Sequence, residues 1–439
     1  MGIENRKPSH DTDYFPCGIL DIGLTLNLVW QTEIEWPEWA LPPTIQRNWE
    51  FSMKRRVFVT RFIAALTVVT GLTSCDQQIG SDEVTVGVVL PLSGQYALTG
   101  TGMRNAMELA RSEVNASSLL SGTQLAFIIE DSESTPEGAV RAFKKLIEQD
   151  GVPAILGPYT SASTDQIISV AHQNSVVTLS PTSAAEGLGA KSPYLFRATI
   201  TVGRIAPTGV RVTKDVLKYK SVALIRNSAD TFSRSSHTRM LEEFGKFSDV
   251  TVVASEEYSR PSTSDLPDLS AQLTGIMNAT PRPEAIFISA LPPGRSGIVT
   301  QARGMGITDI PFISVLFTRD DMRRINAVQE GEANGVITLT AWIAEAEWPR
   351  SKTFVANYMA QHNQAPTGQA ARSYAAVHIL SEAIANAPSF DSAAIKDALN
   401  ALSNHETLVG PFSFDGNGDA VYDPIVGRVK DGQFEVLGQ

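Results

Sequence analysis

From Val84 onward, short runs rich in β-branched residues alternate with longer stretches whose apolar residues recur at helical spacing, and few architectures accept that rhythm. A strand followed by a helix before the next strand returns in parallel, so the sheet must be covered on both faces. The run VTVGVVL at 84–90 reads as the first strand, buried on both sides. A helix follows at 103–114, with Met103, Ala106, Met107 and Ala110 on one stripe. Strands at 125–130, 154–157 and 176–180 then alternate with helices at 137–149 and 162–173, giving a first α/β lobe.

The same rhythm restarts with a helix near 204–218, followed by strands at 222–226, 250–255, 285–290 and 311–315 and helices at 234–247, 266–278 and 294–304. The fold class expected is therefore α/β, with two doubly wound parallel-sheet lobes. Residues 350–402 read as almost wholly helical, with Tyr374, Val377 and Leu380 on one face, and need a sheet to cover. They are expected to return to the first lobe.

Upstream of this body, Met53 opens a basic run (Lys54, Arg55, Arg56, Arg61), an apolar stretch runs from Phe62 to Leu72, and Leu72-Thr73-Ser74-Cys75 ends it. Charge, then apolar residues, then small residues before a cysteine is an export signal of lipoprotein type, at 53–74, with Cys75 as the lipidated residue. The apolar stretch is about half the roughly 20 residues that span a bilayer. Arg55 and Arg56 followed by Val57 and Phe58 also resemble a twin-arginine signal, although Lys54 stands where Ser or Thr is usual. Residues 1–52 hold Trp30, Trp36, Trp39 and Trp49 of the six tryptophans, without clear periodicity; translation is expected to begin at Met53.

Without residues 1–74, the rest of the 439-residue chain is long enough for two cored domains. With 36 Lys and Arg against 47 Asp and Glu, a net charge of −11 gives no footprint for nucleic acid. Of two cysteines, Cys17 and Cys75, none lies beyond Cys75, which excludes a disulfide framework or a thiolate metal site in the body. No cofactor or metal is expected. Six scattered histidines without an HExxH pair speak against a zinc enzyme, and GxSxG, Walker and GxGxxG patterns are missing.

Ligands of open α/β sheets gather at the carboxyl ends of the strands. Three such loops are rich in small and hydroxylated residues: LPLSGQYALTG at 90–100, GPYTSASTDQ at 157–166 and SPTSAAEG at 180–187. A helix N-terminus with unpaired N–H groups behind Thr160, Ser161, Ser163 and Thr164 suits a carboxylate. Each hydroxyl alone reads more readily as an ordinary N-cap; their coincidence at three strand ends shifts the balance toward a binding site. Ser93, Tyr96 and Thr99 on the first loop, and Thr182 and Ser183 on the third, are further candidates.

With the cysteine-terminated leader, these loops, YLFRAT at 194–199 and VGPFSFDGNGD at 409–419, the chain resembles the branched-chain amino-acid-binding branch of the type I periplasmic binding proteins over about residues 82–430. The resemblance implies two lobes (75–202 with 335–410, and 203–334 with 411–439). Three crossing strands near 198–203, 333–336 and 409–412 would join them, and a ligand would be trapped as the lobes close. It further implies a monomeric solute-binding lipoprotein of an ABC transporter, outside the cytoplasm and anchored to a membrane at Cys75. Its partners would be a small-molecule ligand and a membrane permease; no catalysis and no nucleic acid are implied.

Carried across residue by residue, the family's carboxylate loop matches Tyr159, Thr160 and Ser161. Where amino-acid binders meet the ammonium group with a Thr and a Glu, this chain reads Ala184 and Leu316; Asp320 and Asp321 stand nearby. The aromatic wall of the second lobe falls at Phe232 and Leu291. A buried ammonium without a partner is costly, so an organic acid or a neutral compound with an apolar body is expected rather than an α-amino acid. A second reading is a lipoprotein that senses a ligand or activates a cell-wall synthase on the same fold, whose LPLSG start occurs in that group too. Asp415 to Asp419 (DGNGD) resembles a calcium loop but lacks the Gly and Glu that should follow, and reads as a hairpin turn between strands 411–414 and 420–428.

Overall fold

Val84, Val86, Val88 and Val89 line a strand with no exposed face after Glu83, and everything in the first half of the molecule is arranged around it. The computed structural model describes residues 83–438 except Ser262; the expected leader, Cys75 and residues 1–52 lie outside the described residues. The first half runs β1 (Glu83–Leu90), α1 (Ala97–Ala116), β2 (Gln124–Asp131), α2 (Pro136–Glu148), β3 (Ala154–Leu156), α3 (Ser161–Gln173), β4 (Val177–Ser180) and β5 (Leu195–Arg197). These strands form one parallel sheet in the order β2-β1-β3-β4-β5. The order reverses beside β1, which opens a crevice between the loops that follow β1 and β3.

The second half repeats the pattern: α4 (Val202–Leu217), β6 (Ser221–Asn227), α5 (Thr231–Phe244), β7 (Thr251–Tyr258), α6 (Ser270–Met277), β8 (Ala285–Ser289), α7 (Gly294–Gly304), β9 (Phe312–Val315), α8 (Arg319–Asn326) and β10 (Ile337–Thr340). There follow α9 (Pro349–His362), α10 (Gly368–Asn386), α11 (Ser392–Ala401), β11 (His405–Thr407), β12 (Gly410–Phe414), β13 (Ala420–Val421), β14 (Ile425–Lys430) and β15 (Gln433–Val436). The second sheet has the order β15-β14-β10-β9-β8-β6-β7, with β10, β9, β8, β6 and β7 parallel, β14 antiparallel to β10 and β15 antiparallel to β14. A small antiparallel sheet, β11-β12-β13, sits beside the first, with Arg197 bridged to Asp419.

The α/β class with parallel sheets is as the sequence implies, and α10 packs along α1 and α11 to cover the first sheet. The crossings are less regular. The chain passes between the sheets at 198–201, near the first expected position. Residues 333–336, expected as the second, lead into β10, whose Ile337 pairs with Ile313 of β9, so this crossing comes at 341–348. Residues 409–412, expected as the third, belong to β12, held between β11 and β13; the passage lies at 422–424, where Pro424 divides the expected strand 420–428 into β13 and β14. Tyr422 marks this place, its hydroxyl donating to the Ala198 carbonyl and accepting from Ile200 N, both at 3.3 Å. The DGNGD segment is a turn: Asp415 Oδ1 accepts the N–H groups of Asn417 and Asp419.

Two glycines fix the loops that matter. A Cβ on Gly157 (φ +124°) would stand 2.4 Å from the Val89 carbonyl, and one on Gly100 would stand 2.0 Å from that of Pro91. The backbone after β3 and the first turn of α1 therefore close onto β1 as only glycine allows.

Candidate functional site

The hydroxylated loops at the carboxyl ends of β3 and β4 are pinned to one another. Thr160 is the N-cap of α3, its Oγ1 accepting from Ser163 N at 3.0 Å, while Thr182 Oγ1 donates to the Tyr159 carbonyl at 2.6 Å. Ser161 Oγ accepts from Ala185 N at 3.1 Å and from Ser183 Oγ at 3.3 Å. Opposite them come Phe232 at the start of α5, Leu291 after β8 and Leu316 after β9. Leu316 adopts φ +58°, a left-handed conformation that a bulky residue seldom takes. It is held there by its N–H bond to the Leu339 carbonyl, 2.8 Å.

These side chains enclose a cavity of ≈ 20 Å³ lined by Tyr159, Thr160, Ser161, Thr182, Phe232, Leu291 and Leu316, together with Arg295, Gln369 and Arg372. Seven residues singled out in the sequence thus meet around one space. It has room for about one water-sized group, so a solute must part the walls to enter. Thr160 also lines a larger chamber of ≈ 420 Å³ toward the mouth, with Tyr96, Thr135, Asn227, Asp230 and Arg260 among its walls. Tyr96 stands edge-on to Tyr159, ring centroids 5.2 Å apart. Burial pushes the phenols of both up, that of Tyr159 to about 12, so both are neutral near pH 7.

The remaining candidates lie outside both linings. Ser93 is exposed, its N–H bonded to Asp131 and its carbonyl accepting from Ser134 Oγ at 2.5 Å. Thr99 is buried in α1; Ser183 is turned toward Ser161, and Ala184 is buried with its carbonyl accepting from Val202 N. Asp320 pairs with Arg323. Asp321 is spent on the start of α8, its Oδ2 accepting from Thr318 N and Oγ1 and from Arg295 Nε at 2.7 Å.

Three polar lining residues were not anticipated. Gln369 and Arg372 sit one turn apart at the start of α10, a spacing that places both on one face. Arg295 sits in the first turn of α7. Both arginines are 1% exposed. A sequence signal existed: Arg372 interrupts a run of small residues, GQAARSYAA, in which an arginine has no solvent to reach.

A model of the family described as periplasmic binding protein matches residues 83–433. The leucine-, isoleucine-, valine-, threonine- and alanine-binding protein of Pseudomonas aeruginosa is 22% identical over 366 residues, 82% of this chain and 92% of that protein. Among solved structures, the substrate-binding protein LivJ of Streptococcus pneumoniae in complex with isoleucine superposes with a TM-score of 0.71 at 26% identity, over 81% of this chain and 99% of that one. A solute-binding protein of Rhodopseudomonas palustris in complex with 3,4-dihydroxybenzoic acid gives 0.70 at 22% identity, over 80% and 95%. A match across far more than half of the 439 residues, on two sheets whose strand ends enclose one cavity, shows that the chain belongs to the periplasmic binding protein family and is a binder of solutes rather than an enzyme.

Proposed function

We propose that this chain captures a small solute between its two sheets and delivers it to an ABC-type membrane permease, held to a membrane by a lipid on Cys75. The observation that carries the reading is the cavity itself: loops from the carboxyl ends of both sheets supply its walls, and three crossing segments give a hinge about which they part and close. Capture of this kind needs a difference in affinity between open and closed states and no reacting group. A family whose members work outside the cytoplasm agrees with the expected export signal at 53–74.

The solute is a small organic acid or a neutral compound with an apolar body, rather than an α-amino acid. The described lining of the inner cavity supplies Phe232, Leu291 and Leu316 as an apolar wall and no carboxylate to receive an ammonium group, while Asp230 in the larger chamber is spent on capping α5, its Oδ1 accepting from Ser233 N and Oγ. Leaving that group buried and unpaired costs several kcal/mol, roughly 3–5 by analogy with broken buried pairs. The Pseudomonas relative is named for amino acids and the Rhodopseudomonas protein holds an aromatic acid, so the fold accommodates both kinds of cargo.

Calorimetric titration of the exported chain with a panel of organic acids, their amides and the twenty amino acids tests this. Acids with branched or aromatic bodies are expected to bind and leucine is not; micromolar leucine binding would overturn the ligand assignment. Mass spectrometry of the membrane-bound form should find an N-terminal peptide beginning at a diacylglyceryl Cys75, and an unmodified cysteine there removes the anchor.

A further inference from the structure

We infer that the solute is an organic anion whose carboxylate is received by two buried arginines, Arg372 and Arg295, one from each half of the cleft, and not by the hydroxyl loop after β3. The inference rests on the proposed capture of a small solute in this cavity and names its chemical class.

Among the described residues, three of the largest fully buried side chains are arginines. Arg197 has Asp419, with Nε to Oδ1 at 2.6 Å, and two backbone carbonyls on Nη1, while its Nη2, like that of Arg295, has no partner. Arg295 has Asp321, yet its Nη2 is buried without a hydrogen-bond partner. Arg372 has neither an ion pair nor a hydrogen bond to another described residue, and its Nε is buried and unpartnered. Gln369 Oε1, on the same face of α10, also has no partner.

Charges around the cavity therefore leave one positive charge over. Arg295 and Asp321 offset one another, and Arg372 remains. Burial already lowers the Arg372 pKa, and the neighbouring Arg295 adds to that. Tyr159 cannot supply the missing negative charge, because burial holds its phenol neutral. The hydroxyls are largely committed as well: Thr160 to Ser163, Thr182 to the Tyr159 carbonyl, with only Ser161 retaining its own hydrogen to donate. A planar carboxylate matches the fork of a guanidinium in a way that a neutral amide does not. Since α10 covers the first sheet and α7 the second, an anion held by both ties capture to closure.

The test uses matched pairs of equal shape, benzoate against benzamide and isovalerate against isovaleramide, titrated calorimetrically into the full chain at pH 7.5 alongside leucine. The acids are expected to bind on the order of 100-fold more tightly than their amides, as for charge-assisted against neutral hydrogen bonds. Arg372→Gln should abolish the preference and Arg372→Lys should restore part of it. Without ligand, Arg372→Gln should melt no lower than the parent chain, because it removes a charge with no partner. Amides that match their acids, an R372Q variant that keeps acid affinity, or one that melts several degrees lower, each overturns the inference while leaving solute capture intact. If neither acids, amides nor amino acids bind, solute capture itself falls with it.

Discussion

Arg197 and Arg372 are buried alike and differ in what meets them. Arg197 gathers Asp419 and the carbonyls of Ser183 and Ala185, so it nails the loop after β4 to the β12–β13 turn. Replacing Asp419 with alanine strands that charge and is expected to cost about 3–5 kcal/mol in urea unfolding, with Asp419→Asn costing less. His237 illustrates the opposite case, a group kept neutral. Burial brings its pKa down to about 4 while Nε2 pairs with Ser255 Oγ at 3.0 Å. Between that value and the unfolded value of about 6.5, the unfolded chain binds the extra proton, so acid favours unfolding across this window. The urea midpoint should therefore fall as pH is lowered from 6.5 toward 4, and His237→Gln should flatten that fall.

Among the elements, α1 and α10 do most to place the site. The first turn of α1 lies on the loop after β1, where Gly100 faces the Pro91 carbonyl, and that loop carries Tyr96 to the outer chamber. Gly100→Ala is expected to destabilise by about 1–3 kcal/mol, as overpacking does, with Tyr96 displaced; urea unfolding and tyrosine fluorescence would register the two effects. Long periodic helices and the Val- and Ile-rich strands were legible because their patterns are set by local spacing. So were Tyr159, Thr160, Ser161 and Thr182, since loops after parallel strands are where ligands gather. Two short strands were not, β5 and β10, although the equally short β3, β4 and β9 were; β10 owes its place to pairing with β9 and β14. Arg372 escaped notice for another reason. Periodicity reports which face of a helix is apolar, whereas its importance comes from the lack of a counter-charge, and that is a property of three-dimensional surroundings.

At the scale of the whole molecule, the two sheets share a strand order around β1 and β6, and each contributes its reversal point to the same crevice. Small-angle scattering should show the radius of gyration shrinking on addition of a bound acid, and an unchanged curve would count against closure. The halves also touch where no lining residue of the inner cavity takes part. Arg260 Nη2 donates to Gln95 Oε1 at 2.6 Å, and Glu186 N donates to Ser235 Oγ at 2.9 Å. Hydrogen bonds to charged groups contribute about 1.5–3 kcal/mol. Gln95→Ala should thus speed dissociation roughly tenfold or more, read by stopped-flow, while the ranking of solutes stays the same. A latch that grips the jaws and leaves the cargo untouched separates how long a load is carried from which load is chosen, so residence time can drift toward the needs of a slow or fast permease without any change of taste.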